Sequence, residues 1–186
     1  MLSSLLKERT KASHQSLEVV VVRAIKSIRD KEGYIKLLHK FYGFHHPLEL
    51  LQDKFLNDLN VPAYPSRRKA SLILDDLSAL DALQPADAAI ALPVIDSLPS
   101  ALGSFYVTEG STQGGSIVAN MLIKYAGVNE DSTRFFYGYG ENGKDMWRSF
   151  KEKLDSHNDD PAFEEKVVRG ADETFRLFQQ WMEGEG

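Results

Sequence analysis

The chain has 186 residues, 42% hydrophobic and 26% charged, with a net charge of -5 and no cysteine. That balance fits one globular domain, residues 1–186, with a sizeable core. It excludes disulfides, thiolate metal sites and cysteine nucleophiles, and it leaves no basic footprint for nucleic acid. No apolar run reaches the ~20 residues of a membrane span. Val19–Val22 is too short for a signal-peptide core, so a cytoplasmic protein is expected.

Apolar residues at Leu2, Leu5, Leu6, Leu17, Val20, Val21, Ala24, Ile25 and Ile28 follow a 3.6 period and predict one long helix from Leu2 to Ile28. The Val19–Val22 run favours a strand by propensity, but the helical spacing continues on both sides of it. Gly33 is expected to open a second helix from Tyr34 to Leu59, with a kink at Pro47 where one hydrogen bond is lost. Asn60–Pro65 reads as a loop, Arg67–Leu80 as a third helix, and a shorter helix is expected between Pro85 and Pro93.

A longer helix runs from Pro99 to Ala126, with Gly127 as its C-terminal cap. Phe135–Gly140 is an aromatic connector packed onto the body. Asn142–His157 is helical, and Asp160-Pro161 caps a last helix that reaches Met182 before Gly184–Gly186 frays. The result is an all-α single domain of about seven helices.

Gly110, Gly114 and Gly115 fall inside one helical pattern. Each glycine costs about 1 kcal/mol against alanine in a helix interior, so the three cost about 3 kcal/mol. Glycine lets a helix bend and lets its backbone lie against a flat neighbour. A bent helix lying on a ligand offsets that cost; a loop between two helices, or close helix packing, is the plainer reading.

His14 and Glu18 are four apart on one helix face. A carboxylate there accepts Nδ1–H and leaves Nε2 to bind a metal. Lys7 lies two turns earlier, about 10 Å along the axis, where a cation can meet the acidic edge of a large ligand. The plainer reading is an ordinary His–Glu pair on a helix surface.

Leu6-Lys7-Glu8-Arg9-Thr10-Lys11-Ala12-Ser13-His14, with Glu18 after it, resembles the proximal helix of haem oxygenases. Tyr106-Val107-Thr108-Glu109-Gly110-Ser111-Thr112-Gln113-Gly114-Gly115 resembles their glycine-rich distal helix in its short bacterial form. Tyr34 through Phe41–Glu49 is similar to the family's second helix, and Asp160 through Phe175 to its last.

The resemblance implies a haem oxygenase fold and the oxidation of haem by O2 and electrons to biliverdin, carbon monoxide and ferrous iron. It implies His14 as the axial iron ligand, held by Glu18, and Gly110, Ser111, Gly114 and Gly115 over the distal face. Lys7, with Lys166 and Arg169 on the last helix, would hold the propionates. The implied partner is an electron donor, a ferredoxin or a reductase. One departure stands out: Ser111 occupies the position of an aspartate that orders distal waters in better-known members. Ser111, Thr112 and Gln113 are the candidates to supply hydrogen bonds instead.

Two other functions fit parts of the chain. A haem carrier or sensor would keep His14 without turnover. A phosphotransfer bundle would use an exposed His14 and leave the three glycines unexplained. The paired Glu-x-x-His motifs of a di-iron site do not occur. His39, His45 and His46 read as structural or surface residues.

Overall fold

The computed structural model describes residues 1–83, 87–157 and 160–184. Among these there is no strand: the chain is all-α. The expected first helix is two, α1 (Leu2–Arg9) and α2 (Lys11–Ser27). They part at Thr10 (φ -101°, ψ 8°), whose hydroxyl donates back to the Leu6 carbonyl at 2.7 Å, a bond that bends helices. Tertiary contacts set the bend. Leu2 and Leu6 are fully buried, and both the backbone N–H and the hydroxyl of Ser3 donate to Asp155.

α3 spans Lys31–Gln52, so Gly33 lies in its first turn rather than before it. Asp30 is the cap, accepting from Gly33 N–H at 2.8 Å. α3 continues through Pro47. The carbonyl that Pro47 leaves without its helical donor is that of Gly43, and the Ala89 N–H donates to it at 2.9 Å. A Cβ on Gly43 would run into the Asp87 carbonyl, so only glycine admits this approach. The helix ends at Gln52, not Leu59, and Asn57 and Asn60 bind nearby backbone in the turn that follows.

α4 is shorter than expected, Ser71–Ala79, because Arg67 and Arg68 are drawn into contacts described below. Pro85, where a short helix was expected to begin, lies outside the described residues, and residues 87–97 run without a helix.

The expected glycine-containing helix divides into α5 (Leu98–Gly110), a 3-10 turn (Ser111–Gly114) and α6 (Gly115–Ala126). Ser97 and Ser100 form a capping box at its start, and Gly127 (φ 66°) closes its end. The aromatic connector contains one short helix, α7 (Arg134–Tyr137), whose first amides, Arg134 N and Phe135 N, bind the buried carboxylate of Asp76.

α8 is Gly143–Asp155 and α9 is Pro161–Glu183, capped by Asp160 as expected. Gly184 (φ 87°) closes α9; Glu185 and Gly186 lie outside the described residues. α5 and α9 cross in the core, Gly103 against Val167 and Gly170 against Ser100. α2 packs on both α9 and α6, which sets the histidine helix beside the second half of the broken helix.

Candidate active site

His14 stands on the exposed side of α2. Its ring meets the buried ring of Phe175 on α9 edge-on, with centroids 5.4 Å apart at 81°. The neighbouring Ser13 hydroxyl donates to Asp172 at 2.5 Å, which ties this turn of α2 to α9. Among the described residues neither ring nitrogen of His14 has a hydrogen-bond partner, and none joins it to the exposed Glu18. The imidazole is oriented by packing, and its nitrogens remain available.

The break between α5 and α6 is held by its back wall. A Cβ on Gly115 would run into the Phe136 carbonyl, and a Cβ on Gly110 would lie 3.5 Å from the Trp147 ring, while a Cβ on Gly114 would meet nothing within 4 Å. Tyr106 packs beside Trp147, centroids 5.2 Å apart. Thr112 donates its hydroxyl to Glu109 O at 2.7 Å, and Gln113 Nε2 donates to Gly143 O at 3.1 Å. Ser111 donates its one hydroxyl proton to Thr108 O at 2.7 Å. The three side chains expected to offer hydrogen bonds at this face are thus already engaged with backbone carbonyls.

Beneath the break lies a buried polar network that the sequence reading did not single out. The Glu109 carboxylate pairs with Arg67, both side chains being fully buried. Arg67 also donates to Pro62 O and Met146 O, and Tyr139 donates its hydroxyl to Glu109 at 2.9 Å. Burial and the adjacent Glu109 both push the Tyr139 phenol up. Arg68 Nη2 donates to Thr108 O and to Ser111 Oγ. The sequence signal was available in outline: a carboxylate on the apolar side of α5, and two consecutive arginines in a Pro-containing loop.

Next to this network His45 and Arg68 line a cavity of about 20 Å³, together with Glu49, Gln52, Tyr64 and Thr108, which is room for one water molecule. His45 Nδ1 binds the Phe41 carbonyl at 2.9 Å, and the ring stacks on Phe41 and meets Phe135 and Phe178 edge-on. Burial, helped by the nearby Arg68 charge, pushes its pKa down to about 3. His45 is the structural residue the sequence predicts.

Comparison with known proteins decides what this arrangement belongs to. The family model described as Heme oxygenase matches residues 1–184. The chain belongs to the haem oxygenase family. A haem oxygenase of Xanthomonas campestris pv. campestris (strain 8004) is 29% identical over 156 residues, covering 84% of this chain and 92% of that protein. The haem oxygenase of Neisseria meningitidis, crystallised with NO and CO bound, superposes with a TM-score of 0.83 at 24% identity, covering 100% of this chain and 92% of that one. That of Leptospira interrogans superposes with a TM-score of 0.75 at 17% identity, covering 98% of each chain. These two likenesses establish the fold.

Membership makes the protein a haem-degrading enzyme with haem as its substrate. The residues present suit that substrate. Among the described residues no group of three or more His, Asp and Glu is arranged to hold a metal ion by itself. A porphyrin supplies four nitrogens of its own, so a site for it needs no cluster of protein ligands. The open side of Gly114 suits a flat neighbour.

The expected propionate cations divide. Lys7 is exposed on α1, although the bend at Thr10 breaks the straight-helix register that related it to His14. Arg169 is exposed on α9, one turn from Asp172. Lys166 is exposed on α9, and its charge acts on Asp96, on the face of the helix where Glu173 binds Val94 N–H.

Proposed function

We propose that the chain binds haem between α2 and the α5–α6 break with His14 as the axial iron ligand, and cleaves it to biliverdin, carbon monoxide and ferrous iron. The observation that carries this reading is the oriented, unpartnered imidazole of His14 on a helix that packs beside the glycine-broken one. Bound haem supplies the iron centre and is itself the ring that is oxidised.

The protein's part is binding, orientation and exclusion of water. Phe175 and the Ser13–Asp172 bond set the angle of the imidazole. Glu18, one turn on, is placed to accept Nδ1–H once Nε2 is committed to the iron, which fixes the tautomer. Lys7 and Arg169 are the cations for the propionates and so select which edge of the ring is presented. Gly114, open in front, admits the porphyrin close to the backbone, while Gly110 packs on the Trp147–Tyr106 wall, which keeps water from that side.

Electrons come from a ferredoxin or a reductase. Among the described residues no helix is long and apolar enough to cross a membrane, in keeping with a cytoplasmic enzyme. The test is turnover of the hemin complex under air with ascorbate or a ferredoxin-type reductant. Loss of the Soret band with growth of a bilin absorbance and release of carbon monoxide is the expected result. A Soret band that persists under reductant would contradict it.

A further inference from the structure

Arg68 reaches the break from a distant part of the chain. Its Nη2 donates to Thr108 O at 2.5 Å and to Ser111 Oγ at 2.6 Å. The guanidinium carbon lies 4.3 Å over the Phe135 ring, and the Arg68 backbone N–H donates to Tyr139 OH at 2.7 Å. Burial pulls its pKa down and Glu109 and Tyr139 pull it up; an arginine in this setting stays charged.

Thr108 O is one of the last carbonyls of α5, where helical donors run out. Two donors converge on it, Arg68 and the Ser111 hydroxyl. Ser111 therefore has no proton for a molecule on the open side of the break, and the charge behind it belongs to Arg68. A cation also suits this site because the C-terminal end of a helix carries the negative end of its dipole.

We propose that Arg68 is the positioning cation of the break. It holds Ser111 as an acceptor, with the hydroxyl proton on Thr108 O, and it sets a fixed positive charge beside Gly110–Gly114 that favours anions bound on the open side. The proposal rests on the haem reading above, because the anion is one bound at the haem iron.

The test compares an anionic ligand with a neutral one. Azide is titrated into the ferric hemin complex of the full chain, and carbon monoxide into the ferrous complex, for the unaltered protein and for Arg68→Gln, Arg68→Lys and Ser111→Ala. Arg68→Gln keeps an amide donor and loses the charge, and it weakens azide about fivefold, the scale of one partly screened unit charge. Arg68→Lys stays within about twofold of the unaltered protein for azide, Ser111→Ala loses less than Arg68→Gln does, and the two Arg68 variants stay within about twofold for carbon monoxide.

Unchanged azide affinity in Arg68→Gln overturns the proposal. So does equal weakening of azide and carbon monoxide, or a loss in Ser111→Ala that matches Arg68→Gln. If neither Arg68 variant folds, Arg68 is a structural brace and the proposal fails. Absence of a hemin complex in the unaltered chain would overturn the haem reading instead.

Discussion

Gly115 Cα lies against the carbonyl oxygen of Phe136 with no room for a Cβ between them. Its neighbour Gly114 points into open space. Two adjacent glycines thus do different work, one closing the packing behind the helix break and the other keeping its front clear. Gly115→Ala is expected to lower stability by about 1–3 kcal/mol, because the obstacle is backbone and cannot rotate away. Gly114→Leu is expected to fold with little change in thermal midpoint and to lose carbon monoxide binding by the ferrous hemin complex. Thermal denaturation and a ligand titration of both variants separate the two roles.

The Glu109–Arg67 pair carries a second prediction. Both side chains are fully buried, so removing one charge strands the other. Glu109→Gln is expected to cost about 3–5 kcal/mol in denaturant unfolding, while the double variant Glu109→Gln/Arg67→Met recovers part of that loss. Double-variant stability no better than that of the single variant would contradict this account of the network.

Two buried groups give the stability opposite pH slopes. His45 stays neutral when folded, its pKa pushed down to about 3, whereas the unfolded imidazole takes up a proton near 6.5. Between those values the unfolded state binds more protons, so stability falls as pH falls, by about 2 kcal/mol from pH 7 to pH 5. Asp76 works the other way. Burial raises it to about 6 against 3.8, so the folded state binds more protons in that window and acidification adds stability. Chemical denaturation across pH 4–7 should therefore show a flatter acid loss in His45→Gln than in the unaltered protein, and a steeper one in Asp76→Asn.

The parts of the fold that were legible in sequence are those with local causes. Asp160-Pro161 marked the start of α9 because cap and first-turn proline act within one turn. Gly127 marked the end of α6 for a similar reason. The α1–α2 bend was not legible, because it answers to Ser3 on Asp155 and Ser13 on Asp172, each more than 150 positions away along the chain. Pro47 announces a lost helical bond in the sequence, but the donor that completes the Gly43 carbonyl comes from Ala89 on a distant loop.

In the site, His14 and the glycines stood out through spacing and residue type. Arg67, Arg68 and Trp147 did not. Their roles come from partners at Glu109, Ser111 and Gly110, which lie far away along the chain, so the local sequence shows the residue types but not the pairing.

The most direct test of the central claim is a hemin titration of the unaltered chain and of His14→Ala, followed by visible and electron paramagnetic resonance spectra of the ferric complexes. The account predicts a stoichiometric complex with an imidazole-ligated spectrum in the unaltered chain. It predicts loss of that signature and of turnover in His14→Ala, with the imidazole spectrum restored by added free imidazole. An unchanged imidazole spectrum and full turnover in His14→Ala would show that another residue holds the iron and would contradict the account.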